Sequence, residues 1–186
     1  MTNEELLVKR AKKGDEKAFG EIVALYQKAV YNSALYIAKN AEDALDISQE
    51  VFFKLWKTLD GFKCEASLKT WIAKITRTCA IDYVRSRNSK SSLSLAPDDE
   101  EKEIELIDTE ENPQENYRKK EEAEAVRRAV SSLQSPTKEI IIMREFQNLS
   151  YAEIAALLNI PEGTVKSRIS RGREQLKEIL KEWNFF

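Results

Sequence analysis

The sequence predicts an all-α protein: two small helical domains joined by a flexible acidic linker. Three observations predict it. Glycine and proline are scarce, 5 and 4 among 186 residues, while Leu, Ala, Glu and Lys, all good helix formers, are abundant. Apolar residues recur every three or four positions through two long stretches, the spacing that lays one stripe along a helix. Charge is segregated: residues 98–115 hold ten acids and one base, so the net charge of −2 conceals +7 over the rest of the chain. The expected boundaries are 1–90 for the first domain, 91–115 for the linker and 116–186 for the second domain.

Composition also excludes. With no His and only Cys64 and Cys79, His-based catalysis and the common Cys/His zinc patterns are absent. The few glycines form no phosphate cradle. No catalytic residue, metal or cofactor is therefore expected. The two cysteines read as free thiols in a reducing compartment, Cys79 packed. The start, MTNEELLVKRAKKGD, has no signal-peptide core, and no apolar run reaches membrane length. The expected location is the cytoplasm, without membrane insertion, and Asn148-Leu149-Ser150 is a chance glycosylation match.

Taken in order, Thr2 and Glu5 are spaced to cap a first helix carrying Leu6, Leu7 and Ala11. Gly14-Asp15 breaks it, and Asp15 caps a second helix through Phe19, Ile22, Val23, Leu25, Tyr26, Val30, Tyr31, Leu35 and Ile37, most of them read as packed core. A third helix is read in 43–62, DALDISQEVFFKLWKTLDGF, ended by Asp60-Gly61. At about 100° per residue, Leu45, Ile47, Val51, Phe52, Leu55, Trp56 and Leu59 share one broad side. Phe53 falls instead among Asp46, Gln49 and Glu50. It is either a protein-binding anchor or an aromatic covered by its own domain.

Phe62, Lys63, Cys64, Glu65 and Ala66 make a short loop, after which Ser67 caps a fourth helix containing Leu68, Trp71, Ile72, Ile75, Ile81, Tyr83 and Val84. Lys69, Lys74, Arg77, Arg85, Arg87 and Lys90 are interleaved with its aromatics. Bases beside aromatics suit a single strand whose phosphates are neutralised while its bases stack, although Trp71 equally suits a core. Residues 91–115, rich in Ser, Pro and acid, read as linker. At full stretch these 25 residues span at most about 80–90 Å. Their acidity either repels phosphates or merely solubilises.

The second domain opens near Asn116 with a charged helix through Tyr117, Ala123, Val126, Ala129, Val130 and Leu133. Ser135 and Pro136 read as cap and first residue of the next, through Ile140, Ile141, Met143 and Phe146. LSYAEIAALLNIPEGTVKSRISRGREQL follows at 149–176. Ser150 and Glu153 form a capping box over a short helix with Ile154, Leu157 and Leu158 inward. Pro161 and Gly163 break it, and Pro161 opens the last helix. There Val165, Ile169, Gly172 and Leu176 share one narrow sector. Ser167 and Arg171 point opposite, with Arg168 to one side and Lys166 and Arg173 to the other. An apolar spine under a basic and hydroxyl face is the pattern of a helix-turn-helix reader of the major groove; the alternative is a helical hairpin whose basic face is solvated. The tail places Trp183, Phe185 and Phe186 as either a docking flap or a self-association surface.

Three of these stretches, in this order, resemble the extracytoplasmic-function (ECF) group of bacterial sigma factors. DALDISQEVFFKLW resembles the helix that docks on the polymerase β′ clamp helices, SLKTWIAKITRTCAIDYVRSR the segment that melts and reads the −10 element, and the 149–176 stretch the reader of the −35 element. The resemblance implies a transcription initiation factor, not an enzyme. Its implied partners are core RNA polymerase at the β′ clamp helices and β flap, promoter DNA double-stranded upstream and single-stranded where melted, and an anti-sigma factor. It assigns Asp46, Gln49, Glu50 and Phe53 to the polymerase. Phe62, Lys63, Cys64, Glu65 and Ala66 would hold a flipped base, with Trp71 behind them and Lys74, Thr78 and Arg85 along the strand. Thr78 stands where the family commonly has Asn, so the base preferred stays open. The upstream set is Ser150, Tyr151, Thr164, Lys166, Ser167, Arg168, Ser170, Arg171 and Arg173. Arg171 and Ser167 reach base edges, while Lys166, Arg168 and Arg173 suit phosphates. Two rival readings are a dimeric operator-binding regulator and a polymerase-binding inhibitor.

Overall fold

The computed structural model describes residues 3–91 and 113–183, with side chains over 3–87 and 121–183. The expected cap at Thr2, most of the linker, the side chains of Lys90 and Tyr117, and Phe185 and Phe186 lie outside these residues. The chain divides into two compact units, Met1–Glu100 and Glu101–Phe186, and every element of the described residues is helical.

The first unit contains α1 (Asn3–Ala11), α2 (Glu16–Ala38), α3 (Ala41–Thr58) and α4 (Leu68–Ser91). In α1, Glu4 and Glu5 stand in the first turn and Lys9 and Arg10 in the last, complementing the helix dipole. Gly14, at φ 84°, supplies the left-handed residue the following turn needs. Asp15 caps α2 as its position predicts, accepting from the Ala18 amide at 3.1 Å. That bond and the Arg10 guanidinium beside it hold the Asp15 carboxyl below the usual range.

α3 starts two residues before its expected first residue. Asn40 accepts from the Asp43 amide at 2.8 Å and caps it, directly after Lys39 has ended α2 in a left-handed conformation at φ 69°. Its C-terminus tightens into a 3₁₀ turn, Leu59–Gly61, at the Asp60-Gly61 pair that the sequence reads as its end. Ile22, Val30, Val51, Leu55, Leu59 and Leu68 are fully buried, and each such side chain contributes roughly 1.5–3 kcal/mol by leaving water. The buried hydroxyls of Ser48 and Thr76 donate to the carbonyls of Ala44 and Ile72, at 2.6 and 2.8 Å, which offsets the cost of their desolvation.

The second unit contains α5 (Pro113–Ser132), α6 (Ser135–Ile141), α7 (Tyr151–Leu158) and α8 (Glu162–Glu182). Ala125 and Ala129 of α5 pack on Leu176, Ile179 and Leu180 of α8. Gln134, not Ser135, is the cap residue of α6, so Pro136 stands second in the helix. Beyond Ile141 the chain widens into a π-helical turn, Ile142–Phe146, closed by the Gln147 amide on the Ile142 carbonyl at 3.2 Å. Nothing in an apolar period announces an extra residue in a turn.

The capping box of α7 is present in both directions: the Ser150 hydroxyl accepts from the Glu153 amide, and the Glu153 carboxylate from the Ser150 amide at 2.7 Å. Asn159 ends α7 at φ 53°, a conformation Asn tolerates through its short polar side chain. The break thus belongs to Asn159, the first residue of the interrupting stretch, and not to Pro161 or Gly163. Pro161 stands at the cap position of α8, and Gly163 lies inside its first turn.

Candidate functional site

α3 presents two different faces. Ala44, Ile47, Val51 and Leu55 are buried, whereas Asp46, Gln49 and Glu50 are exposed. Phe53 lies among these polar residues, 53% exposed, so its own unit does not cover it. The Lys57 ammonium sits 4.1 Å from its ring centroid, a cation–π contact that orients the ring without hiding it. Leu45 and Trp56 depart from expectation. The sequence places them with the core, but Leu45 is 52% exposed and Trp56 turns an edge toward Phe19, ring centroids 4.7 Å apart. Leu25 of α2, also expected in the core, is 62% exposed. Between α2 and α3 lies an open cleft of about 440 Å³ lined by Val23, Tyr31, Leu45 and Phe52 among others.

The loop over 62–66 has a floor and a rim. Phe62 is buried, its ring stacked on Trp71 at 4.8 Å with 14° between planes. It therefore supports the loop from beneath, where the sequence reading had it facing a base, and Trp71 is a stacking platform for the loop itself. Lys63, Cys64, Glu65 and Ala66 form the exposed rim. Cys64 is left-handed at φ 57°, a conformation costing a non-glycine residue about 1–2 kcal/mol. Ser67 closes the loop by accepting from the Thr70 amide at 3.2 Å.

Along α4, Lys74, Thr78 and Arg85 are exposed. The Thr78 hydroxyl donates to the Lys74 carbonyl at 3.0 Å, leaving its lone pairs as acceptors. Arg87 pairs with Asp43 of α3 at 2.6 Å. Burial and then the Asp43 hydrogen bond push the neighbouring Tyr83 hydroxyl up to about 12. This network ties the capped start of α3 to the basic end of α4. On the inner side burial pushes the Cys79 thiol up, which keeps it protonated and unreactive.

In the second unit Val165, Ile169 and Gly172 are buried and Leu176 half-buried, as the wheel predicts. A Cβ at Gly172 would meet Thr137 Cγ2 at 2.8 Å and Ile141 Cγ1 at 2.9 Å, so α8 is seated against α6 at backbone distance. The opposite face exposes Lys166, Ser170 and Arg171, with Thr164, Ser167 and Arg168 half-buried. The Ser167 hydroxyl donates to the Thr164 carbonyl at 3.0 Å. The Ser150 hydroxyl is engaged in its cap, and Tyr151 lies under the Arg144 guanidinium, 4.9 Å from the ring centroid.

Arg173 is differently placed from the other bases. Its Nε and Nη2 both donate to Glu145 Oε1, at 3.1 and 2.7 Å, and this hydrogen-bonded carboxylate raises its pKa. The sequence reading contained neither Glu145 nor the Asp43 network. Both join residues 28 or more positions apart, and helical spacing registers only neighbours three and four apart.

Two folded units, one with a half-apolar face and one with a basic helix-turn-helix, define a class that comparison with known proteins makes specific. Residues 22–90 match Sigma-70 region 2 and residues 123–176 match Sigma-70, region 4. The RNA polymerase sigma-H factor of Pseudomonas aeruginosa is 32% identical over 178 residues, covering 94% of this chain and 92% of the relative. The ECF RNA polymerase sigma-E factor of Escherichia coli K12 is 32% identical over 176 residues, covering 93% and 92%. Among solved structures, the sigma factor RpoE from Bartonella quintana, co-crystallised with the anti-sigma factor NepR, superposes with a TM-score of 0.72 at 26% identity. The match covers 89% of this chain and 98% of that one. The chain belongs to the sigma-70 family, in its ECF group. It is accordingly a transcription initiation factor that directs RNA polymerase to promoters, and not an enzyme. No helix among the described residues is long and apolar enough to cross a membrane.

Proposed function

We propose that this chain is a dissociable cytoplasmic initiation subunit whose two units grip separate promoter elements. The first, over 1–90, binds the β′ clamp helices through Asp46, Gln49, Glu50 and Phe53. It then holds a flipped base of the −10 element against Lys63, Cys64, Glu65 and Ala66, above the Phe62–Trp71 stack. Lys74, Thr78 and Arg85 follow the melted strand. The second, over 116–186, places α8 in the major groove of the −35 element and meets the β flap. Arg171 and Ser167 read base edges while Lys166 and Arg168 hold phosphates. The acidic stretch 91–115 keeps itself off the duplex by charge.

The observation that carries the reading is the α8 face: Lys166, Ser170 and Arg171 stand exposed opposite Val165, Ile169 and Gly172. Strand opening without ATP is feasible because unstacking costs a few kcal/mol, which pocket and phosphate contacts offset. The co-crystallised sigma factor, bound to an anti-sigma factor, also supports an anti-sigma protein as a partner of this chain. Reconstitution with core polymerase on genomic templates tests the proposal. Selective transcripts support it. Polymerase binding without transcripts would make the chain an inhibitor, and tight operator binding without polymerase an ordinary regulator.

A further inference from the structure

The loop over 62–66 is pinned from outside the segment that matches sigma-70 region 2. Lys12, in the turn that follows α1, lies before residue 22, where that match begins. Its ammonium donates to the Phe62 carbonyl and to the Asp60 carbonyl, the latter at 3.3 Å. It also stands 5.9 Å from the centroid of the Phe62 ring, on which Trp71 stacks. Both carbonyls emerge where the 3₁₀ turn Leu59–Gly61 runs out of helical partners. Orphan carbonyls at such an end accept best from a cation, which also opposes the negative end of the helix dipole.

We infer that Lys12 is a positioning residue for base capture: by clasping the carbonyls of Asp60 and Phe62, it fixes how the chain leaves α3 and so presents the exposed rim of the loop. The inference rests on the proposed role of that loop. Physically, the rim is four residues between two pins, Lys12 at the leading side and the Ser67 cap at the trailing side. A segment that short, fixed at both ends, has little conformational freedom left to lose when a base enters. The left-handed Cys64 sits at its middle, and strained backbone persists only where the surroundings determine it. Without the ammonium, the two carbonyls turn to water, Phe62 loses one of the two groups holding its ring, and the rim samples other conformations.

The test uses holoenzyme reconstituted with core polymerase on a promoter it transcribes. Lys12→Met keeps the apolar stem and removes the charge, and Lys12→Arg keeps the charge. The lifetime of the opened complex is measured with heparin as competitor. Lys12→Met should shorten it by about tenfold, the scale of one charge-assisted hydrogen bond, while polymerase affinity stays unchanged. Lys12→Arg should recover most of the loss. The decisive arm repeats the measurement on templates with single abasic positions scanned along the melted strand. At the captured position, parent and Lys12→Met should become equal, because there is no base left to hold. A merely structural role would preserve the tenfold gap at every position, and that result, or a Lys12→Met complex as long-lived as the parent, overturns the inference. Lys63→Ala and Glu65→Ala, measured in parallel, separate the failures. If they shorten the lifetime and Lys12→Met does not, only the role of Lys12 falls; if neither they nor any abasic position matters, base capture by this loop falls with it.

Discussion

The two units solve opposite surface problems. The first leaves apolar side chains uncovered, Leu25, Leu45, Phe53 and Trp56 among them, on helices whose inner faces are already fully packed. The second, Trp183 apart, leaves no large apolar side chain of its described residues as exposed as these, and offers cations and hydroxyls, Lys166, Ser170 and Arg171. Exposed apolar area marks a surface for a partner, commonly another protein, and exposed cations are well matched by phosphate. The contrast accords with the proposal that polymerase is met chiefly by the first unit and duplex by the second. It also explains why the net charge of −2 is no guide to what the protein touches.

The sharpest way to break this contrast is within α3 itself. Leu55→Ala should destabilise the first unit by about 2–5 kcal/mol, the cost of emptying a fully buried site. Phe53→Ala should change stability by no more than about 0.5 kcal/mol and instead weaken association with core polymerase. Thermal melts and a polymerase pull-down distinguish the two, and unchanged assembly with Phe53→Ala would remove the clamp assignment. In the second unit, Gly172→Val should cost about 1–3 kcal/mol by forcing α6 and α8 apart. Residue-resolved hydrogen exchange should locate that loss in α5–α8 alone.

Next in size are the reading residues. Arg171→Ala should cost about 1–3 kcal/mol at one or two upstream base pairs if its contact is bidentate, measured by competition among single-position variants of the site. Uniform loss across unrelated sequences would place it on phosphate instead. The smallest effect is expected at Glu145. As an exposed pair, Glu145–Arg173 contributes no more than about 1 kcal/mol to stability. Glu145→Gln should release Arg173 to the DNA backbone, raising affinity and steepening the salt dependence by about one phosphate contact. An unchanged slope would mean that Arg173 serves the fold and never reaches DNA.

The legible parts of the chain were those whose physics is local. Asp15, Ser67 and the Ser150–Glu153 box cap the helices their spacing names, and Phe53 stands outside the core because its angle on the helix puts it there. What escaped was decided by distant residues. Leu25 and Leu45 have core spacing, but a stripe meant for a partner has the same period as one meant for the interior. Phe62 reads as a loop residue until Lys12 and Trp71, 50 residues before it and 9 after, close over it. The π turn at Ile142–Phe146 and the left-handed Asn159 leave no trace in hydrophobic periodicity. Gly172 was correctly placed on the inner face, although its spacing did not reveal how near α6 comes.

That nearness separates posture from vocabulary in the second unit. The height of α8 above its support is set by bare backbone at Gly172, not by the side chains that face outward. On the proposed reading, exchanging Lys166, Ser167, Ser170 and Arg171 for other residues would rewrite which bases are preferred while the seat of α8 on α6 stays unaltered. Promoter choice would on that reading drift by surface substitution alone, with the scaffold beneath it held still by an absent methyl group.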